Sequence, residues 1–97
     1  MNEQDKVYTL KKPIVFDGRQ IDTLTLDFDK LKSKDVLQAE RRFVAETGGQ
    51  ALSKELNKAY QAYIVAAAAD VPIELIHELY AKDFTSVTME AQGFLLL

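Results

Sequence analysis

Two segments near the start of the chain have the residue pattern of β-strands. Residues 7–16 are rich in β-branched and aromatic side chains, and residues 20–28 alternate between apolar and polar ones. Asp17 and Gly18 lie between the two segments, and both residue types tolerate the positive φ angles of a tight hairpin turn. The pattern therefore predicts a β-hairpin. Pro13 has no N–H to donate, so its strand is expected at a sheet edge.

The alternation of the second segment is interrupted between Ile21 and Leu24, where two polar residues follow each other. This slip predicts either a β-bulge or a strand that begins near Thr23. An isolated pair of strands is barely stable in water and needs something packed on one face. We therefore expect the hairpin to be supported by the helices or by another copy of the chain.

Downstream of the hairpin, apolar residues recur every three or four positions, which is the spacing of amphipathic helices. The first predicted helix starts at Ser33 or Asp35, either of which can cap it, and ends at the pair Gly48 and Gly49. Its apolar positions are Val36, Leu37, Ala39, Phe43 and Val44. Further helices are predicted over residues 53–70, 72–82 and 86–97.

The helix predicted over Ser53–Asp70, with Ser53 as its cap, is the most apolar of the set. Between Ala59 and Ala69, Gln61 is the only polar residue. A helix that is apolar on all sides must be covered on all sides, and a short chain offers little to cover it. We therefore predict that part of this helix contacts other chains. The predicted partner-binding residues on it are Tyr60, Tyr63, Ile64, Ala66 and Ala67.

The last predicted helix, capped by Asp83 or Thr85, ends in a run of apolar residues. Clustered apolar side chains that remain exposed usually mark an interaction surface. This run adds four predicted partner-binding residues, which are Phe94, Leu95, Leu96 and Leu97.

The pattern as a whole predicts an α+β fold in which an N-terminal β-hairpin is followed by a bundle of three to four α-helices. A chain of 97 residues has the length of one domain. We expect a single domain over residues 1–97, with the hairpin at 6–28 and the helical part at 33–97.

Charge argues against nucleic acid as a partner. Residues 1–50 hold nine Lys/Arg and nine Asp/Glu, whereas residues 51–97 hold three and six, which accounts for the net charge of −3. A nucleic-acid-binding protein gathers its basic residues into a patch. No apolar run reaches the roughly 20 residues of a membrane span, and the polar first residues lack a signal-peptide pattern. We expect no nucleic-acid or membrane partner and a cytoplasmic location.

The residues that often carry chemistry do not form a catalytic, cofactor or metal signature. His77 is the only histidine, and its neighbours Glu74 and Glu78 are expected on a solvated helix face. Asp27 and Asp29 share a strand face but lack the spacing of a calcium loop. Glu40-Arg41-Arg42 is interpreted as the solvated side of the first helix or, alternatively, as an ionic contact to another subunit.

Three groups of residues form a pattern along most of residues 10–95. The first is a proline-containing strand, a glycine turn and an apolar strand, carried by Lys12, Pro13, Ile14, Gly18, Ile21, Leu24 and Leu26. The second is the helical segment DVLQAE at residues 35–40. The third is an Asp before a helix that ends in Phe-Leu, carried by residues 72–75, Leu79, Asp83, Phe94 and Leu95. Together they resemble the tail assembly chaperones of long-tailed phages, of the Mu-like group.

The resemblance implies a non-enzymatic protein of a phage or prophage that acts in the host cytoplasm. Proteins of this family bind the tape-measure protein and keep it soluble until the tail tube polymerises around it. The apolar surfaces of the chain predict self-association into a homo-oligomer as well, through the Ser53–Asp70 helix or the last helix. In many such phages a programmed frameshift produces an extended form of the same protein, which would be a further partner.

Two other classes of protein remain as alternatives. A small DNA-binding regulator or antitoxin-like module also combines a hairpin with helices, but the acidic second half of this chain argues against it. A small enzyme subunit or an acid-site hydrolase would need convergent polar residues in a pocket, and the sequence offers only His77 with its neighbouring carboxylates.

Overall fold

The computed structural model describes residues 6–48 and 54–96. The elements in chain order are β1 (Val7–Phe16), β2 (Arg19–Thr25), α1 (Ser33–Thr47), α2 (Lys58–Ala69), α3 (Ile73–His77) and α4 (Ala81–Leu96). Short 3-10 turns lie at Phe28–Lys30 and Lys54–Leu56. The predicted α+β fold, a hairpin followed by helices, is confirmed, with four α-helices in the described part of the chain.

The hairpin turn is formed by Asp17 and Gly18, as predicted. Their φ angles are 53° and 77°, and two successive positive φ values are the requirement of a type I′ turn. This turn has the right-handed twist that the two antiparallel strands need. A Cβ added to Gly18 would meet no atom within 4 Å, so the need for glycine there comes from the backbone angle.

We expect Gly18→Ala to lower the free energy of unfolding by about 1 kcal/mol, because an L-residue with a Cβ is strained in this left-handed conformation. The matched control is Gly93→Ala on α4, where φ is not positive and the helix gains up to about 1 kcal/mol. Urea denaturation of the three proteins measures both effects. A Gly18→Ala chain as stable as wild type would contradict the strained turn.

The strand pairing contains a large irregularity, located in β1. Residues 7–9 pair with 23–25 and residues 14–16 pair with 19–21, so residues 10–13 of β1 lie opposite Asp22 alone. A register irregularity therefore lies opposite the predicted position, but the extra residues belong to the first strand, so the prediction of a bulge within the second strand is wrong. The alternative start of β2 near Thr23 is wrong, because the strand begins at Arg19. Pro13 lies in this unpaired stretch, where its missing N–H does no harm.

Helix α1 begins and ends close to the predicted positions. Its N-cap is Lys32 instead of Ser33 or Asp35, and the Asp35 carboxylate accepts the Lys32 N–H at 2.8 Å. Gly48 ends the helix in the left-handed conformation, with its N–H bonded to the Val44 carbonyl at 2.9 Å. The second glycine of the predicted pair lies outside the described residues.

Helix α2 begins later than predicted, at Lys58. The side-chain oxygen of Asn57 accepts the Tyr60 N–H at 3.0 Å, so Asn57 is the N-cap. The predicted cap, Ser53, lies outside the described residues. Asp70 ends the helix with a φ of 57°, which agrees with the predicted break.

The last two helices differ from the prediction in length. Helix α3 ends at His77 instead of Lys82, because its last turn tightens through the bond from the Leu79 N–H to the Ile76 carbonyl at 3.2 Å. Helix α4 then begins at Ala81, several residues before the predicted start. Asp83 consequently lies inside the first turn of α4 and is not its cap.

One hydrophobic core joins the hairpin to the helices, with α2 at its centre. The inner face of the hairpin contributes four buried residues, which are Leu10, Ile14, Leu24 and Leu26. Phe43 of α1, Val87 of α4 and Ile76 of α3 belong to the same core. The hairpin is thus supported by the helices of its own chain.

Candidate functional site

The partner-binding residues predicted on α2 lie mostly inside the molecule. Tyr60, Tyr63, Ile64 and Ala66 are buried, with exposures between 0 and 6%, and Ala67 is half-buried. The interpretation that α2 carries surplus apolar surface is therefore wrong for the described chain, because its neighbours cover it. Direct contact of these residues with another chain stays a prediction.

Two sides of α2 are covered by different helices. The ring of Phe43 on α1 packs edge-to-face on Tyr60 and Tyr63, with centroid distances of 5.7 and 6.2 Å. On another side, the Gln61 side-chain amide donates to Gln92 Oε1 of α4 at 2.8 Å and to the Glu55 carbonyl at 2.7 Å. The single polar residue of the apolar stretch is thus buried with its donors paired, as a buried amide requires.

A cleft between α1 and α2 brings together three of the predicted residues. Its lining residues are Asp35, Gln38, Ala39, Arg42, Tyr63, Ala66, Ala67, Asp70 and Val71. Ala39, Tyr63 and Ala66 are buried beneath the cleft, and most of the surface that the cleft exposes is polar. The exposed members Arg42 and Asp70 form part of a charged rim.

Tyr63 is held as a neutral phenol at this cleft. Burial, together with the hydrogen bond to Glu46, raises the pKa of Tyr63 to about 12. The Tyr63 hydroxyl donates to Glu46 Oε2 at 2.9 Å, and Arg42 lies 5.8 Å from the ring centroid. Arg42 also bonds Glu46 at 3.4 Å. The raised pKa keeps the phenol protonated, so Tyr63 acts here as a hydrogen-bond donor to Glu46.

The apolar run at the end of α4 is divided between the core and the surface. The Phe94 ring stacks on Phe28 with centroids 5.3 Å apart, and Leu95 also packs against the core. Leu96 is 56% exposed, and Leu97 lies outside the described residues. Within the described chain, Leu96 is therefore the member of this run whose side chain is open to a partner.

Two helices carry apolar side chains on the faces turned away from the core. The α4 outer face consists of Met89, Gly93 and Leu96, all exposed. The α1 outer face consists of Leu37, Arg41 and Val44, also exposed. Sequence periodicity placed Leu37 and Val44 on the apolar side of α1. It does not tell which of two adjacent rows of apolar residues on that side faces the core. For the α4 outer face, the signal available in the sequence was Gly93, a glycine inside a predicted helix.

Asp83 forms a buried polar cluster that sequence reasoning missed. Its side chain is 1% exposed. It accepts the Tyr8 hydroxyl at 2.7 Å and the N–H groups of Lys11 and Lys12 at 2.9 and 3.0 Å. These N–H groups lie where the β1 irregularity leaves no strand partner. The carboxylate thus replaces the missing ladder bonds and ties α4 to the hairpin.

The hydrogen bonds to Asp83 together outweigh the effect of burial on the pKa of this carboxyl group. Burial alone raises the pKa of this carboxyl group, but the bonds from Lys11, Lys12 and Tyr8 favour the ionised form and lower the pKa below its ordinary value. The Asp83 carboxylate is buried, whereas Lys11 and Lys12 lie at the surface. The role of the cluster is structural, and it joins the two parts of the fold.

The other residues considered for chemistry lie apart on the surface. His77, Glu74 and Glu78 are exposed on or beside α3, and Asp27 pairs with Lys6 at 3.2 Å. Among residues 6–48 and 54–96, no group of three or more His, Cys, Asp or Glu side chains is arranged to hold a metal ion. No helix in this part of the chain is long and apolar enough to cross a membrane.

Comparison with known proteins identifies the family. Residues 7–96 match the family model described as "Phage tail assembly chaperone proteins, E, or 41 or 14", which covers every element from β1 to α4. A search of curated proteins and a search of solved structures give no match. The family match does not single out the Mu-like group, which stays a prediction. The chain therefore belongs to the phage tail assembly chaperone family.

Proposed function

We propose that this protein binds the tape-measure protein in the host cytoplasm and keeps it soluble during tail assembly, without enzymatic activity. The family match supports a role in tail assembly. The resemblance found in the sequence supplies the identity of the client. The observation that carries the binding mode is the cleft between α1 and α2, which gathers Tyr63, Ala66 and Ala67.

The chemistry of the cleft suits a helical client. Ala66 and Ala67 line the cleft, and their small side chains let a partner helix approach the backbone of α2 closely. Arg42 and Asp70 at the rim carry opposite charges, so they can orient a client segment by charge. A long helical chain such as a tape-measure protein presents many segments of this kind.

The direct test is co-expression of this protein with the tape-measure protein encoded in the same phage or prophage. We expect the tape-measure protein to be insoluble alone and to co-purify as a soluble complex with this chain. A tape-measure protein that stays insoluble, or that is equally soluble without this chain, would overturn the proposal.

We expect Ala67→Phe to weaken client binding about tenfold, because the ring occupies the cleft that the client needs. The matched control is Ala81→Phe, which adds the same ring at an exposed position at the start of α4. Gln38→Trp, at an exposed rim position, blocks the cleft without disturbing α2. Affinity for a purified tape-measure segment is measured for each variant. Normal binding by both blocked variants would exclude the cleft.

We also propose that copies of the chain self-associate, alone or with a frameshift-extended form that shares these residues. Exposed apolar side chains on both α1 and α4 support this proposal. Sedimentation velocity over a wide concentration range tests it. A sedimentation coefficient that stays at the monomer value would contradict self-association, and it would leave client binding to the co-expression test.

A further inference from the structure

We infer that the α1 outer face of one copy binds the α4 outer face of a second copy. This inference rests on the proposed self-association and names the surfaces that carry it. The partner of each outer face is thus the other outer face, presented by a second copy of the protein. Three features of the described residues support it, which are their spacing, an unexplained glycine and their charges.

The two outer faces have the same spacing. Leu37, Arg41 and Val44 occupy positions i, i+4 and i+7 of α1, and Met89, Gly93 and Leu96 occupy the same positions of α4. Residues at this spacing lie on one side of a helix. When one helix is laid along the other, the apolar residues at both ends meet, and Arg41 lies over Gly93.

Nothing among residues 6–48 and 54–96 explains why position 93 is a glycine. A glycine inside a helix lowers stability by roughly 0.5–1 kcal/mol relative to alanine. Its φ is not positive, and a Cβ added there would meet nothing within 4 Å. No turn, close approach or left-handed conformation therefore requires it. A long side chain arriving from a second copy would use the space that the missing Cβ leaves.

The charges beside these faces are complementary. In the described chain, the neighbours of Arg41 are paired, Glu40 with Lys54 at 3.2 Å and Arg42 with Glu46 at 3.4 Å, whereas Arg41 has no ion pair. Glu90 follows Met89 on α4 and likewise has no cation partner among the described residues. Partial burial raises the pKa of Glu90, so an arriving guanidinium would stabilise its ionised form.

The two outer faces point away from α2 on different sides of the molecule. Phe43 anchors α1 to one side of α2 through Tyr60 and Tyr63. The bond between Gln61 and Gln92 holds α4 to another side. In the described chain, the two outer faces therefore belong to helices that pack on different sides of α2. A contact between unlike faces of two copies is heterologous. It leaves one outer face unused on each copy, and that face can bind a further copy.

The test uses reversal of the two charges in the full chain. We expect Arg41→Glu and Glu90→Arg each to weaken self-association about tenfold in sedimentation velocity, because each places like charges together. Mixing the two variants is expected to restore association, since every contact between unlike variants pairs opposite charges again. The double variant is expected to associate alone. Gly93→Leu, which fills the gap without changing charge, is expected to weaken association while leaving the helix intact.

Two controls carry the same charge changes elsewhere. Arg19→Glu in the hairpin and Glu78→Arg after α3 alter exposed positions away from both outer faces. We expect both to associate like wild type. If the controls lose association as strongly as the face variants, net charge and not this contact is responsible, and the inference is overturned.

The remaining outcomes separate this inference from the proposed function. A wild-type protein that self-associates while both face variants behave normally would overturn the contact but leave self-association standing. Single variants that fail and whose mixture also fails would show that the two charges do not meet. If the face variants associate normally but lose the tape-measure protein, the outer faces bind the client, and the inference is wrong.

Discussion

Replacing Asp83 by alanine is expected to lower the free energy of unfolding by about 3 kcal/mol at neutral pH, because the loss leaves three partly buried donors without their acceptor. Three donors converge on this carboxylate, which are the Tyr8 hydroxyl and the N–H groups of Lys11 and Lys12. The two N–H groups belong to the unpaired stretch of β1 and have no strand partner to return to. The hairpin should therefore loosen from α4 before the helical part unfolds.

A series of variants separates the contributions within this cluster. Tyr8→Phe removes one donor and is expected to lower the free energy of unfolding by about 1 kcal/mol. Asp83→Asn keeps the size of the side chain but removes its charge. Its decrease in the free energy of unfolding should therefore lie between those of Asp83→Ala and Tyr8→Phe. Urea denaturation followed by circular dichroism measures all three. A loss in Asp83→Ala no larger than in Tyr8→Phe would contradict the role of the backbone donors.

The stability that Asp83 provides should depend on pH in one direction. Its pKa is lowered in the folded protein, so the unfolded chain takes up a proton at a higher pH than the folded chain. The contribution is therefore complete above the ordinary Asp pKa of about 3.9 and declines as the pH falls below it. The difference in stability between wild type and Asp83→Asn should shrink over that acidic range. A difference that is constant from neutral to acidic pH would contradict this.

Local physical chemistry made the hairpin and α1 predictable. Asp17 and Gly18 combine a turn sequence with positive φ angles, and no distant contact needs to be known to place them. Gly48 ends α1 for the same local reason. The later boundaries depended on choices between competing local signals. Asn57 caps α2 downstream of the predicted Ser53, and periodicity alone does not decide between two such caps.

The candidate surfaces were less predictable, because burial depends on contacts across the fold. An apolar pattern on all sides of α2 indicates that other residues cover the helix. It does not indicate whether those residues belong to the same chain or to a partner. The position of Asp83 before an apolar helix resembled a cap, whereas its partners Lys11 and Lys12 are far away in sequence. Those N–H groups lack a strand partner because of the strand irregularity. Locating that irregularity requires the pairing register of both strands, which the sequence does not give.

Ile64→Ala is expected to lower the free energy of unfolding by about 3 kcal/mol, because it leaves a cavity at the centre of the core. The Ile64 side chain is 0% exposed and lies among the core residues of α2. The matched comparison is Leu96→Ala, which removes a similar aliphatic group from a side chain that is 56% exposed. That change should alter stability by no more than about 0.5 kcal/mol.

The same pair of variants decides which apolar residues act between chains. Urea denaturation measures the stability of each variant, and sedimentation velocity measures its self-association. We expect Leu96→Ala to weaken association at unchanged stability. We expect Ile64→Ala to lose stability while its folded fraction still associates, since Ile64 is covered within one chain. If Ile64→Ala instead keeps its stability and loses association, α2 contacts a partner directly, and the assignment of its apolar residues to the core is wrong.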